Sequence, residues 1–431
     1  MVGPSSSHTA GMARIGAEAA RALLADRADA PEMIRLTFSR RMEKTYRGHR
    51  SDCAVIGGAI GLSPDSGSLK DAYHLAAAKG IRISLDFFEE GEVPQNTVRV
   101  AYVWADGSCR SITGQSIGGG SIAILKIDDR ETTVRPLLEF GESREHADRI
   151  GSIESLLAEK KSFAEIAVCY ESARGGRSLK EIRERMASYL DIMKQSVREG
   201  LKENALLFGL TAGDEGSKLL AYKSGLCGTL DKAAAYAVAV MEQNASMGRI
   251  VASPTGGSAG ILPGILLSAA EEKKISDDRL IDALFTASLF GVILDERGVS
   301  FSGSIGGCQG EIGVSAAIAS AAEASLFTDD KKKIAAAFAL TLKNLLGLAC
   351  DPIGGPIEVP CIKRNAMGCA TAMIMCDMAL AGITSYIPAD EVMDALKDAE
   401  QRLPEALKCS CIGGLASTKT ACRFREESEM A

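Results

Sequence analysis

The stretch Thr97-Val98-Arg99-Val100-Ala101-Tyr102-Val103-Trp104-Ala105-Asp106-Gly107-Ser108-Cys109-Arg110-Ser111-Ile112-Thr113 sets the character of the first third of the chain. β-Branched and aromatic residues recur in partial alternation up to Trp104, the pattern of a half-buried strand. Asp106-Gly107 is a turn signal, since glycine takes the backbone conformation a tight reversal needs. Working outward, Ser111–Thr113 and Ser121–Ile127 continue a meander, and Arg35–Ser39 and Ile81–Phe88 read as further strands. Ala10–Ala28 and Ser68–Lys79 carry apolar residues at helical spacing. The expected unit is a small N-terminal α+β domain over residues 1–129. A charge-dense connector is expected over 130–150.

Past Gly151 strand signals fade. Helices are predicted over Leu179–Leu201, Asp231–Ser246, Ile261–Lys274, Asp277–Leu294, Lys331–Leu348, Lys363–Ala381 and Ala389–Arg402. Many are rich in Ala and Gly, which lets helices approach closely. A larger all-α domain over 151–431 is therefore expected, with no repeat at a solenoid period.

Composition removes several classes of function. The 431 residues include 49 Lys+Arg against 56 Asp+Glu, a formal charge of −7. Phosphate neutralisation needs the opposite sign, and a single tryptophan with 5% aromatic residues offers no base-stacking platform, so nucleic acid is not an expected partner. The longest apolar run, Ile334–Cys350, is broken by Lys343 and Asn344 and is short for a membrane span. The first residues show neither a basic nor an apolar leader region, and the 12 cysteines follow no secretory pattern. A reducing cytoplasm is expected. There, cysteines serve as core thiols, metal ligands or catalytic groups.

Three cysteines sit in glycine- or proline-rich backbone: Gly306-Gly307-Cys308-Gln309-Gly310-Glu311, Ala349-Cys350-Asp351-Pro352 and Val359-Pro360-Cys361-Ile362. Each is expected at a loop–helix junction, where backbone N–H groups can donate to a thiolate. The separations are 42 and 11 residues, and no Cys-x-x-Cys occurs, which disfavours a zinc ribbon. Three such thiolates can hold a [4Fe–4S] cube with one iron open to substrate; three buried core thiols is the alternative. Cys369 and Cys376, seven apart, read as core, and Cys53, Cys109, Cys169 and Cys227 as structural.

Two hydroxyl-rich loops run into predicted helices. Gly3-Pro4-Ser5-Ser6-Ser7-His8-Thr9 and Ser253-Pro254-Thr255-Gly256-Gly257-Ser258 both suit a carboxylate or phosphate, although ordinary helix capping explains either locally. The second also raises pyridoxal phosphate as a rival cofactor. Of four histidines, His8 and His49 lie in suggestive loops and can move a proton near neutral pH. His74 reads as a surface or packing residue, and His146 falls in the connector.

Taken together, these segments resemble the iron–sulfur L-serine dehydratases. Gly3–Thr9, Thr45-Tyr46-Arg47-Gly48-His49 and Ser116-Ile117-Gly118-Gly119-Gly120 look like that family's β domain; Ser253–Gly260, Gly306–Glu311, Cys350–Pro356 and Glu358–Gly368 look like its catalytic α domain. The resemblance spans nearly the whole chain. It implies a [4Fe–4S] cluster on Cys308, Cys350 and Cys361, oxygen sensitivity, and conversion of L-serine to pyruvate and ammonia. It places His8 and His49 as catalytic groups, with Ser5, Ser6, Ser7, Thr9, Ser253, Thr255, Gly256, Gly257 and Ser258 around the substrate. A homodimer is also implied. Elimination from L-threonine or L-cysteine is the nearest alternative, and a non-catalytic iron–sulfur sensor the rival from another class.

Two departures from that pattern are visible. Related β domains open with an apolar strand before the Gly-Pro-Ser-Ser-Ser-His motif, which here begins at Gly3, so an N-terminally shortened sequence is expected. Some relatives place a C-terminal cysteine at the open iron; Cys422 is the expected counterpart, with Cys409 and Cys411 as competitors.

Overall fold

The computed structural model describes residues 2–3, 9–25, 27, 29–43, 45–118, 121–134, 150–222, 228–354 and 357–430. Ser5, Ser6, Ser7, His8, Gly119, Gly120, His146 and Cys227 lie outside them. The strands are β1 (Met33–Phe38), β2 (Arg82–Phe87), β3 (Thr97–Val103), β4 (Cys109–Gly118), β5 (Ser121–Ile127) and β6 (Arg130–Val134). They form one sheet in the order β2-β1-β3-β4-β5-β6, parallel at β1–β2 and antiparallel elsewhere. The expected hairpin is present, with Val103 opposite Cys109. The sheet also runs past the expected boundary, because Arg130–Val134, read as connector, pairs with β5 as the edge strand. Charge there reflects an edge with one open side, not a linker.

Three helices cover this sheet: α1 (Gly11–Leu23), α2 (Ser51–Ala59) and α3 (Ala72–Ala78). In β1 the alternate residues Ile34, Leu36 and Phe38 are buried, and they share a core with Ile15, Leu23, Val55 and Ile56 from the helices. Helices α1 and α2 meet backbone to backbone. A Cβ built on Gly58 would lie 1.9 Å from the Ala13 carbonyl oxygen, and one on Gly16 would lie 2.2 Å from that of Val55. Tyr102 on β3 donates its hydroxyl to the Ala59 carbonyl at 2.7 Å, which anchors the end of α2 to the sheet.

The rest is largely helical: α4 (Ile153–Leu156), α5 (Phe163–Gly175), α6 (Leu179–Gly200), α7 (Glu215–Ala221), α8 (Thr229–Ala245), α9 (Ile261–Lys273), α10 (Asp277–Glu296), α11 (Gly303–Gly306), α12 (Val314–Phe327), α13 (Lys331–Lys343), α14 (Cys361–Leu380), α15 (Ala389–Arg402) and α16 (Lys419–Met430). Helices α8, α9, α12, α13 and α14 enclose an Ala-rich core that includes Cys369 and Cys376. Extended pairing beyond residue 150 is confined, among the described residues, to two isolated bridges, Val2 with Val251 and Cys350 with Lys408. No helix among the described residues is long and apolar enough to cross a membrane. The two regions meet where Gly3 N–H donates to the Ile250 carbonyl at 3.0 Å and Arg249 pairs with Asp65 at 3.2 Å.

Glu323 is an unusual acid of the helical core. Glu323 on α12 is 6% exposed, and its Oε2 is buried with no hydrogen-bond partner among the described residues. Burial pushes its carboxyl from 4.5 up to about 8; repulsion from Asp377 adds to this, and a hydrogen bond with Cys376 opposes it. The folded protein thus keeps a proton that the unfolded chain has released, so this group's stabilisation is present below 4.5 and is lost as pH rises toward 8. Glu323→Gln removes that loss. Calorimetric melting should find the variant no more stable than wild type in acid, and more stable by roughly 2–4 kcal/mol at the alkaline end. Parallel pH profiles for the two proteins would contradict this assignment.

Candidate active site

Cys308 closes the turn after α11 and leads through a π-helical turn, Gln309–Gly313, into α12. Gly307 makes that turn at φ 73°. Cys350 is held differently from the loop–helix junction expected of it. It lies in an extended bridge whose N–H donates to the Leu407 carbonyl at 2.8 Å and whose carbonyl accepts from the Cys409 N–H at 2.7 Å. Cys361 is the first residue of α14, where unpaired N–H groups favour negative charge. All three are buried.

Cys308 Sγ, Cys350 Sγ and a Glu311 carboxylate oxygen lie within 4.8 Å of one another, a group able to hold a metal ion. The Cys350 thiol lies near enough to Cys308 and Cys409 to interact with both, and Cys361 feels the charges of Cys308, Glu311 and Cys409. Without a metal, the Cys350 and Cys361 thiols are pushed up: interaction with Cys308 and Cys409, then burial, raises Cys350, and burial above all raises Cys361. Burial also raises the Glu311 carboxyl to about 7, against a hydrogen bond from Thr255. A bound cation reverses this, drawing protons off the sulfurs. Two observations fit a metal group here. The donors are sulfur-rich, as soft metals and iron–sulfur clusters require. Space is also kept open, because a Cβ on Gly303 would sit 2.9 Å from both Cys350 Sγ and Glu311 Oε2.

Arg364, one turn into α14, braces the centre. It donates to the Ala349 carbonyl and to Asp351 Oδ1, each at 2.7 Å, and its charge interacts with Cys308. Asp351 Oδ2 accepts from the Leu415 N–H at 2.8 Å, so the segment after Cys411 is tied to the residue beside Cys350. Asn365 links the second hydroxyl-rich loop to the same helix: its amide donates to the Gly257 and Cys361 carbonyls, both at 2.9 Å, and its oxygen accepts from Gly260 N–H at 3.1 Å. In that loop Thr255 and Ser258 share a hydrogen bond of 3.1 Å between their hydroxyls. The Ser253 hydroxyl is buried with no partner among the described residues.

The sheet-bearing region contributes a pocket wall. Thr9 precedes α1 and donates its hydroxyl to the His49 carbonyl at 2.7 Å; His49, in the turn before α2, is 8% exposed. Thr9, Gly48, His49 and Arg50 line one pocket together with Leu207, Phe208, Asn244, Ala245, Met247, Ile357 and Glu358. Glu358 is three residues before Cys361, so this pocket lies against the cysteine-bearing segment. Asn244 donates to the Gly256 carbonyl at 2.9 Å, which joins the pocket to the Ser253–Ser258 loop.

The structure thus gathers Cys308, Cys350 and Cys361 at one centre, with Thr255 and Gly257 against Glu311 and with His49 and Thr9 in the adjoining pocket. Cys422 is placed with its own helix, its Sγ 3.3 Å from Arg425 Nη2 and 3.9 Å from the Ser417 carbonyl. Arg425 also donates to the Cys411 carbonyl at 2.7 Å, and this holds α16 to the outer side of the 409–415 segment. The cysteine beside Cys350 is Cys409. Sequence reading passed over Arg50, Glu358, Arg364 and Asn365 as site residues, although each lies within or next to a segment singled out for other reasons.

A sheet-bearing region that sets a histidine beside a buried, metal-capable thiol centre in a helical region defines a two-part protein with one composite site. Comparisons with known proteins give the family. The serine dehydratase beta chain family matches residues 1–94, and the serine dehydratase alpha chain family matches residues 158–416. The chain is 44% identical over 262 residues to the probable L-serine dehydratase alpha chain of Bacillus subtilis, covering 60% of this chain and 87% of that one. It is 28% identical over 454 residues to the L-serine dehydratase of Streptomyces coelicolor, covering 98% and 97%, and 28% identical over 451 residues to L-serine dehydratase 1 of Escherichia coli, covering 96% of each. This chain belongs to the serine dehydratase family, with beta and alpha parts in a single polypeptide.

Proposed function

We propose that the protein converts L-serine to pyruvate and ammonia with a [4Fe–4S] cluster held by Cys308, Cys350 and Cys361. The observation that carries this reading is the pocket in which His49 and Thr9 face Glu358, three residues from Cys361. The chemistry a bound cluster with an open iron supplies is Lewis-acid assistance to a departing hydroxyl. The protein's own residues do the rest. His49 takes the Cα proton, with its backbone fixed by the Thr9 hydroxyl. His8, in the Gly3–Thr9 segment, is assigned to the same site by the family resemblance. Thr9 from one loop, and Ser253, Thr255, Gly256, Gly257 and Ser258 from the other, are assigned to the space around the amino acid, and the sequence motif assigns Ser5, Ser6 and Ser7 to the same role. Leu207, Phe208, Met247 and Ile357 line it with apolar surface and keep water from the reacting carbon.

Loss of the Cα proton and the β-hydroxyl leaves 2-aminoacrylate, which tautomerises to an imine; water then hydrolyses it to pyruvate and ammonia. Cys409, adjoining Cys350, is proposed in place of Cys422 as the further thiol that would stand next to a bound cluster.

Anaerobic purification followed by iron, acid-labile sulfide and pyruvate assays tests the reading. Iron and sulfide should be bound together, and L-serine should be favoured over L-threonine and L-cysteine. His49→Ala should retain iron and sulfide and lose about 10²–10⁴-fold in kcat. Iron without sulfide would replace the cluster by a single metal ion. Colourless, metal-free protein that still deaminates serine would overturn the mechanism.

A further inference from the structure

Arg50 has a place in the pocket that its neighbours do not account for. It follows His49 directly, caps α2 in the left-handed conformation at φ 51°, and lines the pocket. Among the described residues it forms no ion pair. Its Nε is buried without a hydrogen-bond partner, and its one side-chain hydrogen bond is a long one of 3.9 Å from Nη1 to Cys53 Sγ. The nearby acid Asp52 is already engaged by Tyr73 OH at 3.0 Å and by Cys53 N–H at 2.8 Å. The guanidinium lies over the Phe208 ring, 5.7 Å from its centroid. Phe208 is fixed in turn, because its N–H and that of Leu210 donate to the two Glu358 oxygens at 2.9 and 2.7 Å.

Arg50 feels the Asp52 charge at a distance but makes no direct ion pair, so its partly buried guanidinium can take an anion, and its planar fork matches a carboxylate. The same pocket carries one carboxylate, Glu358, whose oxygens each accept a single N–H and so retain lone pairs for an ammonium group. One cation and one anion lining one small pocket are the recognition elements for a zwitterion. We propose that Arg50 binds the α-carboxylate of the amino-acid substrate, with Glu358 facing its α-ammonium group. This inference rests on the serine reading above, and it places the carboxylate on a cation in addition to the hydroxyl-rich loops.

The test compares L-serine with L-serinamide, which lacks the negative charge, on the anaerobically purified enzyme. Wild type should prefer L-serine in kcat/KM by at least about 10- to 100-fold, the worth of a hydrogen bond to a charged group. Simple carboxylates such as propionate should inhibit competitively. In Arg50→Gln that preference should collapse toward unity and propionate inhibition should weaken, with iron and sulfide retained. Arg50→Lys should restore part of both. A merely structural Arg50 would slow the two substrates equally, so an Arg50→Gln enzyme with the full wild-type preference overturns the proposal. Wild-type enzyme that takes L-serinamide as readily as L-serine overturns it without any variant. Wild-type protein that acts on neither, with iron and sulfide bound, overturns the serine reading itself.

Discussion

Cys350→Ser should yield folded protein that has lost its iron and sulfide and with them serine deamination. Of the three proposed ligands, Cys350 interacts with the thiols of both Cys308 and Cys409. Its backbone is fixed independently of its side chain by the Leu407 and Cys409 bonds, so a serine there keeps the chain path. What changes is the donor: a hydroxyl oxygen is a hard, weakly acidic ligand where a soft thiolate is needed. Lewis-acid assistance is worth several kcal/mol, so turnover should fall by more than about 10³-fold. Far-UV circular dichroism should be unchanged while iron, sulfide and pyruvate formation fall to background. Retention of full iron and turnover would remove Cys350 from the ligand set. Cys308→Ala and Cys361→Ala should behave alike.

Gly58→Ala should unfold or loosen the sheet-bearing region. The added methyl would lie 1.9 Å from the Ala13 carbonyl oxygen and 2.7 Å from the Ala17 nitrogen, both backbone atoms of α1. No side chain can rotate away, so the helices must separate, and Gly16 opposes Val55 and Ala59 in the same manner. Overpacking against yielding side chains costs about 1–3 kcal/mol; a clash with helix backbone should reach the top of that range or pass it. Gly67→Ala is the control, because nothing lies within 4 Å of its Cβ position. Thermal melting should show the first transition lowered by several degrees in Gly58→Ala and unmoved in Gly67→Ala. Since Thr9 precedes α1 and His49 precedes α2, kcat should fall in the same variant. An unshifted melt would mean the two helices tolerate a wider separation.

The sequence made the meander and most of the long helices legible because each presents one periodic face. Leu179–Gly200 and Ala389–Arg402 came out almost as expected. Helix α2 did not, since all nine of its residues are buried and no polar face marks its period. The predicted Lys331–Leu348 helix overran: it ends at Lys343, where Asn344 turns its amide back to the Leu340 carbonyl at 2.7 Å, and Gly347 takes φ 81°. At the site, the cysteines were legible because glycine and proline flank them. Arg50 and Glu358 were not, because 308 positions separate residues that meet only across the two regions. The nearness of Cys409 to Cys350 was equally invisible, since it depends on the bridge between Cys350 and Lys408.

That bridge bears on how much of the chain the centre needs. The backbone partners of Cys350 are Leu407 and Cys409, and Asp351 takes its bond from Leu415. A chain that extends only through Cys361 carries all three proposed ligands but lacks the 407–415 segment that pairs with the middle one. On the proposed ligand set, a chain cut before Leu407 is expected to bind less iron than the full chain, because the middle sulfur would lose the backbone bonds that fix it.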